Sequence, residues 1–384
     1  MRPTKWKLGD IVLLFVSSVV ALLLCELGSR LILNPVDYLS PVIVRDDILG
    51  IRLPPRSGGH DEWGFRNARV PQTAQLVTLG DSHTYGNTAK MNEAWPHVLG
   101  RLIGTSVYNL GIGGYGPNQY YYLLQTKALA LKPATVICGL YMGDDFDNAY
   151  RITYGLSYWS FLRRGELADK VDPDIWEKGE RETKSESWHK PIRNWLSGHS
   201  ILYRLVVHGL FGGIKGRYQV EHASQIYDSA TSLLLPEKHI RESFLPAEVL
   251  RGLDQGEPSV REGMRITFEL LQKMDALCTS NHIRFIVAVI PTKETVFARY
   301  LEHDPKLAMS ETLDKLIANE RIARQKLFAM FNQENISYID LLPAMEMASG
   351  KGKIYTADAA DMHPNKNGYR VIAEAISQYL KTSK

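Results

Sequence analysis

The sequence predicts an α/β fold built on a mainly parallel sheet of five strands, with helices on both faces. Three observations predict it. Apolar runs of strand length recur along the chain. These runs are nearly continuous in apolar character and rich in Val and Ile, as strands buried on both faces are. Longer stretches with apolar residues at helical spacing separate them, and such alternation indicates a layered parallel sheet.

The first strand is QLVTLG (75–80), followed by a helix near 92–103. SVYNLGI (106–112) is the second strand, with a helix near 118–131 after it. ATVICGLYM (134–142) is the third, and its β-branched and apolar residues leave no polar face. IRFIVAVI (283–290) and ISYIDLL (336–342) complete the sheet. Further helical patterns cover roughly 260–280, 309–333 and 366–381. Residues 151–258 break the alternation. They mix charges and hold Trp159, Trp176, Trp188 and Trp195, so they read as a partly helical insertion. Residues 34–60, with N-P, S-P, P-P and S-G-G, read as an extended connector. The expected domain is therefore 61–384, interrupted at about 151–258.

The N-terminus is different in kind. Residues 11–25 read IVLLFVSSVVALLLC, without a charge. A spanning helix needs about 20 largely apolar residues. Residues 8–33 reach that length with Asp10 at one interface and the Glu26/Arg30 pair near the other. Residues 1–33 are thus expected to be a leader and an uncleaved signal-anchor helix. Arg2, Lys5 and Lys7 place the leader in the cytoplasm and the remainder outside. A cleaved signal peptide shares the charged start and apolar run. However, no small-x-small site follows the run, and Leu24 before Cys25 is a poor lipoprotein signal. A helix buried in a soluble fold is the plainer alternative.

Composition narrows the function classes. The 384 residues are 45% hydrophobic and 23% charged, which excludes global disorder, collagen and coiled coil. A mean hydropathy of −0.19 excludes a polytopic membrane protein. With 45 basic against 42 acidic residues, the net charge of +3 offers no general polyanion surface, so nucleic acid is not an expected partner. The three cysteines form neither a disulfide framework nor a metal-ligand spacing.

Four polar clusters fall at strand ends or just before a helix, on the edge where doubly wound sheets assemble their sites. G-D-S-H-T-Y-G (Gly80 to Gly86) follows the first strand. A serine there can act as a nucleophile whose own amide faces a developing oxyanion. The plainer reading is that Asp81 and Ser82 cap a helix. N-L-G-I-G-G-Y-G (Asn109 to Gly116) follows the second strand, a loop whose amides can approach a ligand or a simple turn. M-G-D-D-F-D-N (Met142 to Asn148) follows the third, without the ligand spacing of an EF-hand. D-M-H-P-N-K-N-G-Y (Asp361 to Tyr369) precedes the last helix. There Asp361 can orient His363, and His363 can accept a proton from Ser82. No cofactor or metal is expected. Adjacent residues such as Ser82 and His83 seldom share a ligand, and no histidine spacing accompanies Asp144, Asp145 and Asp147.

These residues resemble the SGNH (GDSL-type) hydrolases, serine esterases and acyltransferases with a flavodoxin-like three-layer α/β/α fold. G-D-S-H-T-Y-G is similar to the nucleophile motif, with Ser82 as nucleophile. Gly114 falls at the family's oxyanion glycine, and D-M-H-P-N is similar to the terminal motif that supplies Asp361 and His363. Softer likenesses are E-A-W-P (93–96), W-G-F-R-N (63–67) and I-P-T-K-E (290–294). With E-L-G-S-R at the end of the apolar segment, the pattern resembles a membrane-anchored bacterial branch. The likeness covers 61–150 and 260–384 and leaves out the insertion.

One position departs. The family's third motif carries an asparagine that donates to the oxyanion, and here the string is Gly143-Asp144-Asp145. An ionised carboxylate only accepts hydrogen bonds. Asp144 could be neutral through burial, Asn148 could replace it, or the amides of Ser82 and Gly114 could suffice. His83, Tyr115 and Trp159 are expected to contact substrate.

The resemblance and topology together imply a serine-dependent ester hydrolase or O-acyltransferase at the inner (cytoplasmic) membrane, a single-pass protein with its domain facing the periplasm. Its expected substrate is an acylated, in the first place acetylated, cell-envelope carbohydrate or lipid. The rival from another class is a non-catalytic glycan-binding or scaffolding protein whose oxyanion site is impaired by Asp144.

Overall fold

The computed structural model describes residues 7–164, 167, 190–207, 231–235, 240–301, 310–356 and 361–382. Helix α1 (Leu8–Ile32) is long and apolar enough to cross a membrane, and none of its residues is buried. A hairpin of β1 (Val44–Asp46) and β2 (Gly50–Arg52) follows. Then β3 (Leu76–Gly80) leads into a short α2 (Ser82–Tyr85) and α3 (Trp95–Ile103). β4 (Val107–Asn109) leads into α4 (Pro117–Leu123), and β5 (Thr135–Tyr141) into α5 (Asp145–Gly155). Next come α6 (Lys190–His199), α7 (Ile201–Val207), the antiparallel pair β6 (Thr231–Leu235) and β7 (Ile240–Phe244), and α8 (Pro246–Leu250). The chain continues through α9 (Pro258–Ser280), β8 (Arg284–Ile290), α10 (Lys293–Leu301), α11 (Glu311–Glu334), β9 (Tyr338–Asp340), α12 (Leu342–Ser349) and α13 (Lys366–Thr382).

The central sheet has the order β4-β3-β5-β8-β9, and every adjacent pair is parallel. Val77 faces Tyr108 on one side and Val136 on the other, and Gly139 faces Ala288. This is the doubly wound order in which the chain reverses direction between its first and third strands. Right-handed crossovers then put α3 on one face and α4, α9 and α11 on the other. Contacts agree: α3 packs on α13, while α9 packs on α4 and α5. Val77, Leu79, Trp95, Ile137, Ile286 and Ile372 form the interior, each essentially inaccessible to water. All five expected strands are present, with β4 and β9 shorter than expected. Gly111 N–H turns onto Asn109 Oδ1 at 2.8 Å and ends β4; Leu342 N–H turns onto Asp340 Oδ1 at 2.9 Å and ends β9.

Two sequence expectations need correction. The connector 34–60 is not simply extended, because it folds into a hairpin that packs on the domain. Asp46 Oδ1 accepts from the amides of Ile48 and Leu49, a turn that reverses the chain, and Gln119 and Tyr115 donate to the carbonyls of Leu49 and Ile51 at 3.0 and 2.9 Å. The expected insertion boundaries also cut through packed structure. Residue 151 lies inside α5, and Phe244, Val249 and Leu253 belong to the main core. Trp176 and Trp188 lie outside the described residues.

Candidate active site

The chain leaves β3 in a tight turn that sets Ser82 at the carboxyl edge of the sheet. Asp81 caps the turn, accepting from His83 N–H at 2.9 Å, and its carbonyl accepts from Tyr85 N–H at 2.8 Å. Gly80 is required here for space: a Cβ would stand 2.0 Å from Thr84 Oγ1. Ser82 itself keeps partial access to solvent.

His363 comes to Ser82 from 281 residues further on. Its Nε2 lies 2.7 Å from Ser82 Oγ, and its Nδ1 lies 2.8 Å from Asp361 Oδ1. Asp361 Oδ1 also accepts from His363 N–H at 2.9 Å. A carboxylate can only accept, so the neutral ring carries its proton on Nδ1 and turns the Nε2 lone pair to the Ser82 hydroxyl. Burial pushes the Asp361 carboxyl up, but its bonds and charge interaction with His363 outweigh that and hold it below the ordinary carboxylate range. Asn365 fixes this loop. Its amide donates to the carbonyls of Lys353 and Tyr355 at 3.1 and 2.9 Å, while its Oδ1 receives Asn367 N–H and caps α13.

Two further bonds lock the loops to each other. Thr88 Oγ1 donates to Pro364 O at 2.7 Å, and Tyr369 Oη donates to Asn87 O at 2.8 Å. The W-G-F-R-N segment braces the serine turn from behind. Buried Arg66 pairs with Asp37 at 2.9 Å and donates to Gly86 O at 2.8 Å. Asn67 exchanges two bonds with the backbone of Asn109, and Asn109 Nδ2 reaches Thr84 O at 2.8 Å. Sequence reading missed Asn67, Thr88, Asn109 and Tyr369 as positioning residues, since nothing local in the sequence shows which carbonyl each will meet.

The glycine loop lies over Ser82: a Cβ at Gly113 would be 3.6 Å from Ser82 Cβ. Tyr115 N–H bonds Ile112 O, and Gly114 takes φ +78°, the left-handed conformation that the third position of such a turn demands. Among the described residues, the amides of Ser82 and Gly114 donate to no protein acceptor.

Asp144 occupies the N-cap position of α5, yet its side chain makes no cap bond. The residue keeps some exposed surface, but Oδ1 is enclosed and has no hydrogen-bond partner among the described residues. Burial, with the charges of Asp81 and Asp147, pushes the carboxyl up to about 8; His363 and Asn148 oppose the shift. A shift in that direction favours the protonated carboxyl, the form that can donate a hydrogen bond. Asn148 is buried beside it, its Nδ2 without a completed hydrogen bond. The neighbouring Asp145 is occupied elsewhere, accepting from Tyr120 Oη at 2.8 Å and Tyr141 N–H at 2.9 Å.

The three expected substrate contacts, His83, Tyr115 and Trp159, are all buried. His83 is held by Asp81 at 3.0 Å and stacks on Tyr141 with centroids 3.8 Å apart. It props His363 from behind, centroids 4.7 Å apart. Burial pushes the Asp81 carboxyl up, but His83 and His363 outweigh it and keep it below the ordinary range. Tyr115 is spent on the Ile51 carbonyl. Trp159 is 1% exposed in a small separate cluster with Ile152, Leu162, Ile266 and Leu270, and its indole donates to Ile48 O at 2.7 Å. None of the three offers a free face to a ligand.

A Ser–His–Asp line at the carboxyl edge of a doubly wound parallel sheet is the arrangement this chain presents. No protein-family model matches the sequence, and no curated protein matches it. Among solved structures it is similar to a GDSL-like lipase from Bacteroides thetaiotaomicron, at 12% identity over 82% of this chain and 93% of that one, with a TM-score of 0.36. It is likewise similar to a lipase/acylhydrolase from Enterococcus faecalis, at 13% identity over 80% and 96%, TM-score 0.35. A third is a mutant of an acetyl-xylooligosaccharide esterase from Geobacillus Stearmophilus, at 12% identity over 80% and 94%, TM-score 0.35. These likenesses are distant.

Proposed function

We propose that this chain is a membrane-anchored serine esterase or O-acyltransferase working through an acyl-serine intermediate. One observation carries the reading: a single imidazole bridges Ser82 Oγ and the Asp361 carboxylate at 2.7 and 2.8 Å. His363 takes the proton as Ser82 Oγ attacks an ester carbonyl. The negative charge moves to the carbonyl oxygen, where the amides of Ser82 and Gly114 and the neutral Asp144 carboxyl donate to it. Collapse expels the alcohol, which receives the proton from the His363 imidazolium, and leaves the acyl group on Ser82. Water then restores the serine, or a second hydroxyl takes the acyl group.

The substrate follows from place. We take Arg2, Lys5 and Lys7 as cytoplasmic and α1 as the anchor; the domain then faces outward, where acylated envelope carbohydrates and lipids are the esters at hand. Acetyl is the acyl group we favour, and hydrolysis is favoured over transfer. Replacing Ser82 with alanine tests the chemistry. Turnover of an aryl acetate should fall on the order of 10⁶-fold, as when a triad loses its nucleophile. An alanine variant with full activity would overturn the serine mechanism.

A further inference from the structure

Helices α6 and α7 lie against the outer part of α1, and their join is unusual. Glu26, on α1, accepts from Ser200 Oγ at 2.9 Å and from the amides of Ile201 and Leu202 at 3.1 and 3.0 Å. Ser200 Oγ in turn accepts from Tyr203 N–H at 3.0 Å. Arg30 pairs with Glu26 at 2.8 Å and donates to His199 O. The first amides of α7 and the one acidic side chain near the end of α1 thus satisfy each other, which lets both sit where water is scarce.

From that point α7 runs back along α1. Val19, Leu22 and Leu23 of α1 and Trp195, Leu202 and Val206 of α6–α7 line one groove of about 690 Å³. Val19 lies seven residues before Glu26, roughly two turns or about 10 Å deeper along the helix. The surface beside the groove is also apolar: Ile192, Trp195, Leu205 and Val206 are exposed, as are Val42 and Ile43 of the connector. Ser40 N–H bonds Ser197 O at 2.9 Å and ties that connector to α6. Arg193 stands exposed on α6, and its long side chain can carry the charge to a polar headgroup layer.

We propose that α6 and α7 are embedded in the bilayer surface, with phospholipid acyl chains filling the groove against α1, so that the domain is held at the membrane at a fixed tilt. Lipid is the occupant because one wall of the groove is the same face of α1 that a membrane would cover, and the exposed apolar residues continue that face. A tryptophan and an arginine flanking an apolar helical face are the composition of an interfacial element. The inference rests on α1 being a membrane span, and its test separates the two.

The full chain would be reconstituted in vesicles of phosphatidylcholine and phosphatidylglycerol. Cys25→Ser removes the exposed cysteine; Cys138 and Cys278 are buried. An environment-sensitive fluorophore is then placed singly by Leu13→Cys, Trp195→Cys, Val206→Cys or Ile322→Cys. Acyl-chain spin labels should quench the first three and spare Ile322→Cys, and aqueous iodide should do the reverse. If Leu13→Cys is quenched by lipid while Trp195→Cys and Val206→Cys answer to iodide, the span stands and the proposal falls. Shielding of those two sites from both quenchers would mean a protein occupant and also overturn it. Iodide access at all four would overturn the span and the proposal together. A measurement with an intact groove guards against disturbed variants: brominated lipids should dim the native protein more than Trp195→Phe, and equal dimming would count against lipid contact.

Discussion

In the proposed mechanism Asp144 stands beside the developing oxyanion, and its charge decides whether it helps or hinders. As an ionised carboxylate it would oppose an oxyanion; as a neutral acid it donates. Its folded pKa is raised to about 8, so the donor form is fully present well below that value and is lost as pH rises through it. The rate of ester turnover should therefore fall on the alkaline side near pH 8. Asp144→Asn supplies an N–H donor at every pH, and should keep near-neutral activity while abolishing that alkaline loss. Asp144→Ala should lower turnover by ~10²–10³ well below pH 8 and narrow that gap as the native carboxyl ionises. An unchanged alkaline limb in the asparagine variant would remove Asp144 from the mechanism. Ser82, Asp361 and His363 were legible in the sequence because each sits in a short polar string beside a strand or helix end. The protonation of Asp144 was open, since burial and the charge of Asp81, from another strand end, decide it. The burial of His83 and Tyr115 is not legible in the sequence, because adjacency to a motif says nothing of Tyr141 or Ile51, which they pack against.

At the scale of elements, the strands were readable because residues buried on both faces leave a continuous apolar run. The hairpin at 44–52 was not, for V-R-D-D-I-L-G-I-R alternates poorly and its geometry depends on Tyr115, Gln119 and Trp159 reaching its carbonyls. The same contacts give Trp159 its role. It joins the hairpin to α5 and α9 and does not touch the serine site. Trp159→Ala should destabilise the fold by ~3–5 kcal/mol through the cavity it leaves. Denaturant unfolding measures that cost, and the KM for an aryl acetate should stay unchanged at temperatures where the variant is folded. A variant of native stability with a raised KM would return Trp159 to the substrate site.

For the whole molecule, sheet order and site are one fact. The reversal between β3 and β5 opens the edge at which the Ser82 turn, the glycine loop and Asp144 converge, and α13 delivers the His363 loop to it through Thr88 and Tyr369. Order of this kind cannot be read from strand patterns alone, because each run fits any neighbour of equal length; the motifs at the strand ends pointed to one edge. On this reading the edge holds a reactive serine. A fluorophosphonate offered to the folded full-length protein, followed by intact mass and peptide mapping, tests it most directly. A single adduct on Ser82 is expected, absent from Ser82→Ala and slow to form in His363→Ala. A folded native protein that takes no adduct, or takes it on another residue, would contradict it.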